Sequence, residues 1–153
     1  MNRITPHKVM IVEDQIATRQ QLEDFMRQQI GVIVTGACST VHEAIKLIHT
    51  TKPNLLFLDT ELPDGTGFDI LEQIPENSKV LFLVKPRERD ARRALGLGGI
   101  EYLLKPFNTQ KLINALGEVI RAQPLIQEQI ALTLQCFRTK QVPDSIVLRG
   151  IIR

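Results

Sequence analysis

The 153 residues fit one domain of the usual ~100 to 200 residues plus a short appendage. With 43% hydrophobic and 24% charged residues the chain has a globular balance that needs no disulfides, and a net charge of +2 is too small to single out nucleic acid. Cys38 and Cys136 form neither a CxxC pair nor a zinc cluster, no apolar run approaches the ~20 residues of a membrane span, and no signal-peptide core opens the chain, so a cytoplasmic protein with reduced thiols is expected.

Short apolar runs then alternate with helical patterns, the signature of βαβ units building a parallel sheet. A first strand at 9–12 ends in Glu13 and Asp14, and a helix begins near Ala17. A second strand at 32–37 is followed by a helix from Val41, which Lys52-Pro53-Asn54 stops. The third strand, 55–58, runs into Asp59; Pro63-Asp64-Gly65 turns the chain, and a helix starts at Gly67. The fourth, 80–84, ends on Val84 before a helix from Arg89 that Gly98-Gly99 closes. The fifth, 100–104, leads into Lys105-Pro106 and a helix from Thr109, in which Leu112, Ala115, Leu116, Val119 and Ile120 recur at the spacing of one buried face. None of the strands alternates cleanly with polar residues, so both faces of the sheet are expected to be covered by helices. After Ala122 the pattern changes: Pro124 breaks the fifth helix, 125–137 reads as a further helix, and 145–152 reads as a strand.

In an open parallel α/β sheet, ligands and reactive groups gather beyond the carboxyl ends of the strands. Here Glu13, Asp14, Asp59 and Lys105 all fall there. One acid after a strand is ordinarily a solvated loop residue. Three acids and one lysine at the same edge are a phosphoryl-transfer site in prospect, because clustered carboxylates repel unless a hard cation such as Mg²⁺ intervenes. The metal and Lys105 would neutralise the phosphoryl oxygens while the Asp59 carboxylate attacks phosphorus.

The stretches VMIVED, LLFLDTELPDGTG and YLLKPF stand in the order and positions that mark the response-regulator receiver family of two-component systems, and the resemblance covers about 8–122. It implies a flavodoxin-like (βα)5 fold, a doubly wound parallel sheet of order 2-1-3-4-5, over 7–122, with 123–153 as a linker helix and the start of an output segment. It also implies Asp59 as phosphoacceptor, Lys105 as phosphate-binding lysine, Tyr102 as rotating switch residue, and Mg²⁺ held by Glu13, Asp14, Asp59 and the backbone carbonyl of Glu61. The implied donor is a sensor histidine kinase, and the domain itself turns over no separate substrate. At the end of the fourth strand the family places Ser or Thr, whereas this chain has Val84, which cannot donate a hydroxyl to the phosphoryl group.

The basic run Lys85, Arg87, Arg89, Arg92 and Arg93 covers the helix that this family commonly uses for signalling; Glu88 and Asp90 stand within pairing reach of Arg92 and Arg93, so a merely solvated, mixed-charge face is an equal reading. His7, His42 and His49 are scattered and carry no assigned chemistry. For output, the wording resembles receivers that precede LytTR-type DNA-binding domains, so transcriptional control is expected, with DNA bound only by a domain outside this chain. The alternative is a stand-alone receiver, or a pseudo-receiver, working by protein contact or as a homodimer, with the apolar residues of 125–137 docked on itself or on a twin. A haloacid-dehalogenase-like phosphatase would use Asp59 and Glu61 as nucleophile and acid, but lacks its substrate cap here.

Overall fold

The computed structural model describes residues 5–140. The elements follow in chain order as β1 (His7–Val12), α1 (Ile16–Arg27), β2 (Val32–Cys38), α2 (Val41–Thr51), β3 (Leu55–Asp59), β4 (Glu61–Leu62), β5 (Gly65–Thr66), α3 (Gly67–Leu71), β6 (Lys79–Val84), α4 (Arg89–Gly98), β7 (Tyr102–Leu104), α5 (Thr109–Arg121) and α6 (Gln127–Thr139). Five strands form one parallel sheet of order β2-β1-β3-β6-β7. Setting aside the two-residue strands β4 and β5, this is the expected 2-1-3-4-5 order. β3 lies in the middle, with its Leu55 to Asp59 buried throughout.

Side chains alternate across a strand, so each buried run feeds two cores. Val9, Ile11, Leu55, Phe57, Leu81 and Leu83 meet Leu22 and Met26 of α1 and Leu112, Leu116 and Val119 of α5. Met10, Val12, Leu56, Leu58, Phe82 and Val84 face the other way, toward α2, α3, α4 and α6. Each fully buried Leu, Ile, Phe or Met contributes roughly 1.5–3 kcal/mol, which is why the strands read as unbroken apolar runs.

Local chemistry fixes the ends. Thr40 caps α2 by accepting from the Glu43 amide at 3.1 Å, and Lys52 ends that helix in the left-handed conformation. Thr66 and Asp69 form a capping box on α3, and Asn108 caps α5. Gly99, at φ +68°, closes α4 where Gly98-Gly99 is expected to. The Pro63-Asp64-Gly65 turn becomes the tip of the antiparallel β4–β5 hairpin, which periodicity does not reveal. Asp64 reaches from that tip to the Val41 and His42 amides at 2.8 and 3.0 Å, and these hydrogen bonds hold its carboxyl below the ordinary range.

The helix expected at 125–137 is present as α6, and it docks on its own domain. Ile130, Leu134 and Cys136 are buried in the α2–α3–α4 core, and the Phe137 ring stacks on Phe68 with centroids 3.9 Å apart. Phe68 in turn stacks on Phe82 of β6 at 5.1 Å. Arg138 pairs with Glu72 and Asp69, and Lys140 pairs with Asp90 at 3.1 Å. The strand expected at 145–152 lies outside the described residues. Among the described residues no helix is long and apolar enough to cross a membrane.

Candidate functional site

The parallel sheet brings the ends of β1, β3 and β7 to one edge, and Glu13, Asp14, Asp59 and Lys105 arrive there together. Glu13 is wholly buried, Asp59 is 2% exposed and Lys105 is 8% exposed; Asp14 faces solvent. The Lys105 ammonium sits 2.6 Å from Glu13 Oε1 and 3.1 Å from Asp59 Oδ2, so one cation bridges two buried acids. Carboxylate oxygens of Glu13, Asp14 and Asp59 lie within 4.8 Å of one another.

Three carboxyls facing one ammonium leave the site short of positive charge. Burial, the hydrogen bond with Glu13 and the Glu13 charge push Asp59 up to about 8, against the pull of Lys105. Burial also pushes Glu13 upward, but its hydrogen bonds with Asp59 and Lys105 outweigh this and hold it low. Burial disfavours the Lys105 ammonium, yet the two acids raise it above its ordinary value. The proton of the pair therefore rests on Asp59, with Glu13 and Lys105 both charged. A hard dication relieves this deficit, and the all-oxygen donor set fits Mg²⁺.

The backbone around the acids is fixed as firmly. Arg19 of α1 donates to the Glu13 carbonyl at 2.7 Å, and the Glu61 amide donates to Asp59 Oδ1 at 3.3 Å. At Gly67 any Cβ would collide with the Asp59 carbonyl oxygen and crowd Phe82, so the glycine of PDGTG lets α3 start against the end of β3. Gln15, Thr18, Lys85 and Lys105 line a cleft at the site, and Ile16 stands 74% exposed at the start of α1.

Val84 is fully buried as the last residue of β6, and Tyr102, 36% exposed, pairs with Phe82 in the neighbouring strand. Glu61 faces outward and pairs with Lys85 at 3.4 Å and Arg87 at 2.7 Å, so its side chain is committed to surface cations. Glu88 and Asp90, within pairing reach of Arg92 and Arg93 in the sequence, take other partners. Asp90 pairs with Lys140 of α6, and the Glu88 carboxylate accepts from the Thr60 hydroxyl at 2.7 and 2.8 Å and from the Lys85 amide at 2.7 Å. Thr60 follows the end of β3 inside the LLFLDTELPDGTG stretch, yet that stretch assigns it no role, and Glu88 carries neither a strand-end nor a motif signal.

The family model described as "Response regulator receiver domain" matches residues 9–117. The sensory transduction protein LytT of Enterococcus faecalis is 33% identical over 110 residues, covering 71% of this chain and 46% of LytT. The transcriptional regulatory protein BtsR of Escherichia coli is 29% identical over 113 residues, covering 73% and 47% of the two chains. This chain thus spans about half the length of the curated relatives it matches. Among solved structures, the receiver domain of PhyR from Erythrobacter litoralis aligns with TM-score 0.61 at 25% identity over 77% of this chain and 92% of its own. A LuxR-family DNA-binding response regulator from Staphylococcus aureus shares the fold with TM-score 0.64 at 22% identity, covering 74% and 98%. Matched over residues 9–117, in a sheet whose strand order and strand-end acids agree with that match, this chain belongs to the response regulator receiver domain family of two-component systems.

Proposed function

We propose that the domain accepts a phosphoryl group on Asp59, in a Mg²⁺-dependent reaction with a sensor histidine kinase as donor, and passes the change to an output segment. The observation that carries this reading is the pair of buried acids, Glu13 and Asp59, bridged by the Lys105 ammonium with Asp14 alongside. Glu13, Asp14 and Asp59, with the Glu61 carbonyl, are the groups to hold the ion. Mg²⁺ held there would supply charge neutralisation for the transferring phosphoryl oxygens and would favour the ionised form of Asp59.

Asp59 then acts as the nucleophile. One carboxylate oxygen attacks phosphorus, the P–N bond to the donor histidine breaks, and its electron pair leaves on the imidazole nitrogen. Lys105, already 3.1 Å from Asp59 Oδ2, shifts onto a phosphoryl oxygen. The exposed Ile16 beside the cleft offers the donor an apolar contact next to the acids. The product is the phosphorylated domain itself, so no separate substrate is turned over.

For output, the likeness to BtsR, a transcriptional regulatory protein, and to LytT, a sensory transduction protein, favours transcriptional control through a LytTR-type output domain. Val84 favours one second reading, a pseudo-receiver that never holds phosphate, because no hydroxyl is available at the end of β6. Incubation with Mg²⁺ and acetyl phosphate separates the two. Phosphorylation detected by intact mass, absent in Asp59→Asn, supports the phosphoacceptor; an unmodified wild-type domain under conditions that label other receivers supports the pseudo-receiver.

A further inference from the structure

Glu88 is the N-cap residue of α4, yet its side chain makes no cap hydrogen bond to that helix. It turns back instead, taking the hydroxyl of Thr60 and the amide of Lys85. Thr60 is 2% exposed and follows Asp59 directly, and its amide donates to the Leu83 carbonyl, tying it to β6. One carboxylate thus fastens the residue after Asp59, the chain just past Val84 and the start of α4.

α4 is pressed against α6 at both ends. At the far end a Cβ on Gly98 would overlap the Thr133 side chain and Gln129 Nε2 donates to the Gly98 carbonyl at 3.0 Å, while in the first turn, beside Glu88, Asp90 pairs with Lys140. Such an interface has no slack, because close-packed interiors do not deform continuously.

We infer that Thr60 and Glu88 form the latch through which the state of Asp59 controls the docking of α6, a regulatory contact that stands in for the hydroxyl missing at Val84. This rests on the reading of Asp59 as phosphoacceptor. A phosphoryl group carries ≈ −1.5 to −2 charge and strong acceptor oxygens. Beside Thr60 it repels the Glu88 carboxylate and competes for the donors that Glu88 occupies. Glu88 lets go, the first turn of α4 shifts, and the Gly98–Thr133 contact no longer fits, so α6 leaves the groove. Thr60 and Glu88 act through α4 and are positioning residues.

Cys136 reports the undocking, since it is 2% exposed on the buried face of α6. In the full chain carrying Cys38→Ala, the rate of Cys136 alkylation by a maleimide is measured with and without Mg²⁺ and BeF₃⁻, while fluorine NMR follows occupancy of Asp59 by BeF₃⁻. Undocking is a local opening, and occupancy is expected to speed alkylation about fivefold or more. Glu88→Gln keeps the latch's shape without its charge and is expected to cut that acceleration to about twofold or less. Thr60→Val is expected to raise the rate without BeF₃⁻. In a Cys136→Ala chain the alkylation of Cys38, buried at the end of β2, is expected not to respond. Asp59 occupied with Cys136 unchanged, or Glu88→Gln retaining the full acceleration, overturns the latch alone. Absence of a bound fluorine signal overturns the phosphoacceptor reading, and the latch with it.

Discussion

At Asp59 the physical problem is a carboxyl kept neutral by its surroundings, with its pKa raised from 3.8 to about 8 by burial and by Glu13. The unfolded chain ionises it near 3.8, so the metal-free fold loses stability through this group as pH rises from about 4 to about 8. Asp59→Asn removes that loss. At pH 8 without metal the variant is expected to be more stable than the wild type by on the order of 2 kcal/mol, or roughly 5 °C in Tm, with the gap closing toward pH 4. A gap independent of pH in thermal melts sinks this account. Mg²⁺ binding at pH 7 is expected to release protons, seen as a buffer-dependent calorimetric enthalpy, because burial and Glu13 push Asp59 up to about 8. Val84→Thr tests the other unusual residue. It places a hydroxyl in a fully buried position at a cost of about 1 kcal/mol or more, and is expected to tighten BeF₃⁻ binding about tenfold, since a hydrogen bond to a charged group contributes ~1.5–3 kcal/mol.

Among elements, the strands and the helix starts were legible because each depends on its own residues: apolar runs, Thr and Asn caps, Pro and Gly stops. Glu13, Asp14, Asp59 and Lys105 were legible for a topological reason, since a parallel sheet sends every strand's carboxyl end to the same edge. The Thr60–Glu88 contact was not, because it joins residues 28 apart in sequence with no periodicity linking them. The place of α6 was hidden likewise: its apolar residues demand burial, but only tertiary contacts such as the Phe137–Phe68 stack and the close approach of Thr133 to Gly98 say against what. Gly98→Ala should improve α4's helix propensity by up to about 1 kcal/mol and yet expel α6, raising Cys136 alkylation about tenfold in a Cys38→Ala chain. Adding Thr133→Ala removes the colliding hydroxyl and should restore most of the protection. Equal reactivity of Gly98→Ala and its parent would show that this contact is not what seats α6.

For the molecule as a whole, the family match stops at residue 117, yet the hydrophobic core does not. Ile130, Leu134 and Cys136 belong to the same cluster as Met10, Leu56 and Phe82, and Phe137 extends the stack that runs through Phe68 into β6. Removing α6 uncovers that side of the cluster while leaving the sheet, α1 and α5 untouched. Burial of three side chains and part of a fourth contributes roughly 5 kcal/mol gross, and ordering the helix consumes a share of it. A chain ending at Ala122 is accordingly expected to stay folded, to lose on the order of 3 kcal/mol in urea unfolding, and to bind an apolar dye that the full chain excludes. Mg²⁺ binding measured by calorimetry should survive, because Glu13, Asp14, Asp59 and Lys105 lie on elements that α6 does not build. If truncation cost nothing and exposed nothing, α6 would be a passenger; if it abolished metal binding together with the fold, receiver and extension would be one indivisible unit.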